Sequence, residues 1–195
     1  MKSIVIIGSG GHANSIIDLV EDTRDWSISA IVGIERELGK KILNYKVEYK
    51  DENIDELYKI SKYAVLAIGQ LPKPDLRKKI LSKYINKGFL FPKIISRNSY
   101  VSKSCTIGEG TTIGHGAIIN ANARIGSFSI INSKSLIEHD ANIGDFCHIS
   151  TGAIVNGHTK IGKECFLGSS SMIRENIIIN SNSIISAGKI IMKSI

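Results

Sequence analysis

Five histidines are the residues of this 195-residue sequence best suited to proton transfer near neutral pH: His12, His115, His139, His148 and His158. His139 stands apart by its neighbours, in the run Ile137-Glu138-His139-Asp140. A carboxylate beside an imidazole fixes its tautomer and favours its protonated form. A general base that takes a proton from an amine or hydroxyl needs both. A histidine on a surface turn usually has no chemical role; here the flanking acids and the small residues around it favour one. No Cys or Ser sits beside His139 in register as a nucleophile, so no covalent intermediate is expected.

The element that must present His139 is a repeat. From Val101 to Ile191 every sixth residue is aliphatic, sixteen in a row without slip or insertion. Four residues after each lies a second lane of small residues, among them Cys105, Thr111, Ala117, Ser135, Cys147 and Ala153; only Ile177 and Lys189 break it. Six is not a multiple of 3.6, and so many β-branched residues with Gly and Asn would weaken a helix. A strict hexapeptide period indicates a parallel β-helix, one short strand and one turn per six residues. The aliphatic residue is expected inside, and the Gly or Asn that often follows it is expected to take positive φ in the turn. If three sixes make one triangular coil, residues 18 apart stack. His115 then stacks with Ser133, Thr151 and Ser169. His139 stacks with Ala121, Gly157 and Glu175, and small Ala121 and Gly157 should leave room there for a ligand.

The first half reads differently. Ser3–Ile7 is a short apolar strand, Gly8-Ser9-Gly10-Gly11-His12-Ala13 a glycine loop, and Ile16, Ile17, Leu19 and Val20 mark a helix. Strand, glycine loop and helix open a Rossmann-like unit, in which backbone N–H groups approach an anion at the helix N-terminus. Gly8, Gly10 and Ala13 fit G-x-G-x-x-A by spacing, the pattern of a dinucleotide site. Such a site also wants an acid ending the second strand, Ser27–Val32, and Val32-Gly33-Ile34 stands there with Glu35 late. A short helix over 53–60, a strand over 63–68 ending in Gly69-Gln70, and a helix over 74–86 with Leu76, Ile80, Leu81 and Tyr84 on its apolar side complete a βαβαβ pattern. All three prolines precede the repeats, where each would remove a ladder hydrogen bond. The expected organisation is an α/β Rossmann-like domain over 1–95 and an all-β left-handed parallel β-helix over 96–195. A ligand of the first should bind where Gly8–His12 and Gly69–Gln70 converge.

The net charge of +7 is spread without aromatic interleaving, which argues against nucleic acid. No signal peptide and no apolar run of membrane-spanning length stands out, so a cytoplasmic location without membrane insertion is expected. The three cysteines lie in the small lane and are expected as buried thiols. No metal is expected, since CxxC and HxxxH spacings are absent.

GSGGHA at the start, AIGQ followed by Arg77, and SLIEHDANIGDFCHIS within hexapeptide repeats together resemble one family over the whole chain. It is the bacterial sugar acetyltransferases of the sialic-acid O-acetyltransferase and UDP-4-amino-sugar N-acetyltransferase type. The resemblance implies a homotrimer, acetyl-CoA as co-substrate in a cleft between neighbouring solenoids, and a sugar or nucleotide sugar held by the first domain. It implies His139 as general base and Asp140 as the acid that strengthens it. It implies acetyl-CoA contacts at His148, Gly157, Ser169 and Ala187, and substrate contacts at Gly10, Gly11, His12 and Gly69. Two departures bear on this. Family members often carry an Asp pair where Val32-Gly33 stands, which leaves room for a sialic acid as O-acetyl acceptor beside the 4-amino group of a nucleotide-linked sugar. The segment that covers CoA in the family has no counterpart before Ile195, from which weaker CoA binding, or a trimeric homologue without catalysis, would follow.

Overall fold

The structure, a computed structural model, describes residues 1–70 and 72–195. The chain divides into two compact units, Met1–Gly69 with Asp75–Ile94, and Gln70–Pro74 with Ile95–Ile195.

In the first unit β1 (Lys2–Ile7) lies parallel between β2 (Trp26–Val32) and β5 (Ala64–Leu66). Its residues Ile4 to Ile7 are almost wholly buried, as expected of a central parallel strand covered on both faces. α1 (Gly11–Thr23) buries Ala13, Ile16, Ile17, Leu19 and Val20, spaced three and four apart along one face, and ends on Arg24 in the left-handed conformation. An element not among the expected ones follows β2. A hairpin of β3 (Lys41–Ile42) and β4 (Tyr45–Tyr49) extends the sheet, β4 pairing parallel with β2, to the order β3-β4-β2-β1-β5. β3 is only two residues long, but in β4 Tyr45, Val47 and Tyr49 alternate with Lys46 and Glu48, so a period-two signal is present in the sequence. α2 (Ile54–Ile60) and α3 (Asp75–Lys87) complete the unit. Leu81 and Tyr84 of α3 are buried, whereas Leu76, expected on the same side, is 58% exposed in the first turn.

The second unit is a left-handed parallel β-helix of two-residue strands in three sheets. The first sheet runs from Tyr100–Val101 to Ile190–Ile191, the second from Thr106–Ile107 to Ile178–Ile179, the third to Ile184–Ile185. Every pairing is parallel and 18 residues in register, for example Leu136 with Ile154 and Ile137 with Val155. The aliphatic lane fills the interior: Ile113, Ile131, Ile137, Ile149 and Val155 are wholly buried. Each such side chain stabilises the prism by roughly 1.5–3 kcal/mol relative to exposure.

The turns correct the expectation for glycine. Positive φ falls three residues after each inner aliphatic, at every sixth residue from Gly110 to Gly188, and ten of these fourteen are not glycine. The glycine directly after the aliphatic residue serves close packing instead. A Cβ on Gly108, Gly126, Gly144 or Gly162 would lie 2.4–2.7 Å from a backbone nitrogen of the next coil. The small lane also bonds between coils. Thr111 donates to the Gly126 carbonyl at 2.7 Å, Ser129 to Gly144 at 3.0 Å, and the thiols of Cys147 and Cys165 to Gly162 and Asn180 at 3.0 and 3.1 Å. The buried hydroxyl of Ser171, further along the lane, has no such partner. All three cysteines are free thiols, and hydrogen bonding to Cys165 together with burial pushes the Cys147 thiol up.

Candidate active site

His139 stands at the corner between the first and second sheets, after the strand Leu136–Ile137. Its side chain is 55% exposed, outside the aliphatic interior. The corner geometry explains its pose. Asp140 is left-handed, φ 60°, and its N–H donates to the Ala121 carbonyl one coil back at 3.0 Å. His158 repeats this one coil on, φ 56°, donating to the His139 carbonyl at 3.1 Å, and Asn176 donates to Gly157 at 3.0 Å. These rungs stack the side chains of successive coils over one another.

The imidazole Nδ1 lies 2.9 Å from Oδ2 of Asp140. A carboxylate only accepts, so Nδ1 carries the hydrogen and Nε2 has the free lone pair. That hydrogen bond, the largest of several causes, holds the Asp140 carboxyl below the usual range; Asn122 Nδ2 reaches its other oxygen at 3.3 Å. Glu138 is turned aside and accepts from Asn120 Nδ2 at 2.9 Å. The ring of His139 covers Gly157, where a Cβ would sit 2.9 Å from both Cε1 and Nε2. The space expected over Gly157 is therefore occupied by the imidazole itself. The open volume is beside it, an approximately 430 Å³ cleft lined by Glu138, His139, Asn156, Gly157, His158, Glu175 and Asn176. His158, which the local sequence did not single out, packs edge-on to His139 with ring centres 5.2 Å apart and brings Nε2 within 3.8 Å of Asp140 Oδ2.

The other residues implied for acetyl-CoA lie elsewhere on the same solenoid. Ser169 and Ala187 stand on the corner between the third and first sheets, in the column of His115, whose Nδ1 meets Ser96 Oγ at 2.7 Å. His148 projects from the third sheet and is only 7% exposed. Its Nδ1 donates to the Gln70 carbonyl at 2.9 Å, and its ring meets the edge of Phe166. The Gln70 side chain, wholly buried, donates to the Phe146 carbonyl at 3.0 Å.

The first unit assembles the other expected cluster. Gly10 caps α1 without a side-chain bond, and no acid stands in the helix's first turn. Nothing lies within 4 Å of a Cβ placed on Gly10 or Gly11, so backbone there is open to a ligand. A Cβ placed on Gly69 would lie 3.4 Å from the Cβ of His12. Arg77, 2% exposed, donates to the Ile68 carbonyl and fixes that loop; burial pushes its guanidinium down to about 10. The absent Asp pair also has a physical account. A side chain at Gly33 would collide with Ser9 Oγ at 2.3 Å and with Val47 at 2.7 Å. The nearby acid is Glu37, whose carboxylate accepts from the Ser9 hydroxyl, the main cause that lowers its pKa. No helix among the described residues is long and apolar enough to cross a membrane.

Comparison with known proteins gives two family matches. The PglD N-terminal domain matches residues 3–84, and the hexapeptide repeat of succinyl-transferase matches residues 158–193. Comparison with curated protein sequences gives no match. Among solved structures, PerB of Caulobacter crescentus, complexed with CoA and GDP-perosamine, is 28% identical; the match covers 100% of this chain and 91% of that one, TM-score 0.91. A histidine-to-asparagine mutant of perosamine N-acetyltransferase from the same organism, with the same two ligands, gives 27%, 100%, 90% and 0.92. The acetyltransferase domain of PglB from Neisseria gonorrhoeae, with acetyl coenzyme A, shares the fold at 24% identity, 100% and 92% coverage and TM-score 0.87.

Proposed function

We propose that the chain is a PglD-type sugar acetyltransferase, a reading supported by its match to the PglD N-terminal domain and to hexapeptide repeats, and that it moves an acetyl group from acetyl-CoA to the amino group of a nucleotide-linked amino sugar. The observation that carries the reading is the His139–Asp140 pair, 2.9 Å apart, seated on Gly157 beside an open cleft. Full-length likeness to an enzyme bound to CoA and GDP-perosamine supports both the thioester donor and a nucleotide-linked amine as acceptor.

In this mechanism the sugar amine attacks the thioester carbonyl. His139 Nε2 takes the proton that the nitrogen sheds, while Asp140 keeps the hydrogen on Nδ1 and stabilises the imidazolium as it forms. A backbone N–H steadies the oxyanion; as the C–S bond breaks, the His139 imidazolium returns its proton to the departing sulfur and CoA leaves as its thiol. The open N-terminus of α1 at Gly10, Gly11 and His12, with Gly69 beside it, receives the phosphates and sugar of the acceptor. Ser169 and Ala187 stand on a different corner from His139, so a CoA molecule touching all of them spans two copies of the chain. That division supports a homotrimer with its sites between protomers. The co-substrate places the enzyme in the cytoplasm.

The test is incubation with acetyl-CoA and a panel of GDP- and UDP-linked 4-amino sugars and of sialic acids, with free thiol as readout. Turnover confined to amino sugars is expected. Turnover only on sialic acids would reassign it as an O-acetyltransferase, and none on either class would favour a trimer without catalysis. His139→Ala should lower kcat by about 10²–10⁴-fold. Asp140→Asn, which keeps the shape and loses the charge, should lower it less. In both variants far-UV circular dichroism should be unchanged.

A further inference from the structure

The corner that carries His139 also has the donor set of a metal site. One nitrogen of His139, one oxygen of Asp140 and one nitrogen of His158 all lie within 4.8 Å of one another. His139 Nδ1 and Asp140 Oδ2 are 2.9 Å apart, and Asp140 Oδ2 and His158 Nε2 are 3.8 Å apart. Ligands held tetrahedrally at zinc, about 2.0–2.1 Å from the ion, stand roughly 3.3 Å from each other. Both spacings therefore lie within about half an ångström of that value, and the third is no more than 4.8 Å. Two imidazoles and one carboxylate are a zinc donor set, and a fourth position is open to the cleft.

We propose that His139, Asp140 and His158 bind one divalent transition ion of the zinc class, and that the bound ion shuts off acetyl transfer. The ion takes the place of the hydrogen on His139 Nδ1, and that hydrogen moves to Nε2, which then has no lone pair for the substrate. The imidazole is then held by metal and can no longer turn its Nε2 to the substrate. The spacing rules for zinc did not disclose the site because its ligands are a neighbouring pair and a residue 18 positions on, one full coil away. The backbone makes the set rigid. Asp140 and His158 both sit in left-handed turns, and the N–H of His158 is bonded to the carbonyl of His139. The metal assignment rests on this geometry alone; the loss of transfer rests in addition on the base role proposed for His139.

Two measurements on the full-length chain, freed of metal with a chelator, separate those claims. Titration with zinc chloride, followed by calorimetry, should give one ion per chain at micromolar affinity. Asp140→Asn and His158→Gln should each weaken binding by about tenfold or more, with unchanged circular dichroism. An absence of binding by the wild-type chain up to 100-fold molar excess would overturn the site, as would equal binding by both variants, which would place the ion elsewhere. On a substrate that turns over, zinc should inhibit in proportion to occupancy and a chelator should restore the rate. Full activity at saturating zinc would overturn the shut-off. Failure to find any acceptor leaves the binding result readable, so the metal site and the acetyltransferase reading stand or fall separately.

Discussion

At the scale of single residues the site depends on what Gly157 lacks. The His139 ring lies where a Cβ would come within 2.9 Å of Cε1 and Nε2. Gly157→Ala must push the imidazole outward, and the ring can yield because its cleft side is open. The expected result is a kcat about 10–100-fold lower, since small misplacement of a catalytic group costs that much, with a melting temperature within a few degrees of the parent. A matching fall in stability with unchanged kcat would show that Gly157 serves the corner rather than the ring. The pair His139–Asp140 was legible in the sequence because both members are adjacent and chemically unusual together. His158 was not, because its partner is one coil away and nothing local marks it. The column Asn122, Asp140, His158 and Asn176 could have shown it, had the 18-residue return been applied to the turn residues as it was to His139. Glu37 was missed for a related reason: an acid was sought directly after the second strand, where packing against Ser9 and Val47 leaves room only for glycine.

At the scale of the element, the six-residue period disclosed strands, interior and coil return together, since an aliphatic lane of strict period has one solution. It did not disclose the division of labour among turn residues. Left-handed positions accept Asn, Asp, Lys and even Phe, whereas the glycines beside the aliphatic lane are held by the approach of the next coil. The same substitution should therefore have opposite outcomes at two glycines. Gly152 has φ +66° and only Ser170 Oγ near, at 3.5 Å, so Gly152→Asn should change stability by no more than about 0.5 kcal/mol, because Asn tolerates this conformation. Gly162 would bring its Cβ 2.4 Å from the Ser181 nitrogen, so Gly162→Asn should cost about 1–3 kcal/mol. Denaturant midpoints at one fixed protein concentration compare the two. Equal costs would mean that the coils separate more easily than their ladder hydrogen bonds suggest.

At the scale of the whole solenoid, its three outer faces differ in a way that composition hides. The outward positions of the second sheet are Thr106, Arg124, Asn142, Lys160 and Ile178, polar in every coil but the last. Those of the first sheet are Tyr100, Ile118, Leu136, Ile154, Met172 and Ile190, apolar in every coil. Tyr100, Ile118 and Ile190 are 58%, 42% and 60% exposed in the single chain. A contiguous apolar stripe of this kind marks an association surface rather than a solvated face. A second copy suits it, because the His139 corner ends this face on one side and the Ser169–Ala187 corner bounds it on the other. Copies meeting along the stripe would bring one chain's base toward another chain's CoA column. Met172→Glu sets a charge in the middle of the stripe, which costs several kcal/mol if the face is buried and almost nothing if it is wet. Sedimentation at micromolar concentration should then report three chains for the parent and one for the variant. Transfer activity should fall with the assembly, while circular dichroism keeps the β-helix signal. A variant that sediments as the parent does would place the interface on another face, and the division of the acetyl-CoA residues between two corners would need a different explanation.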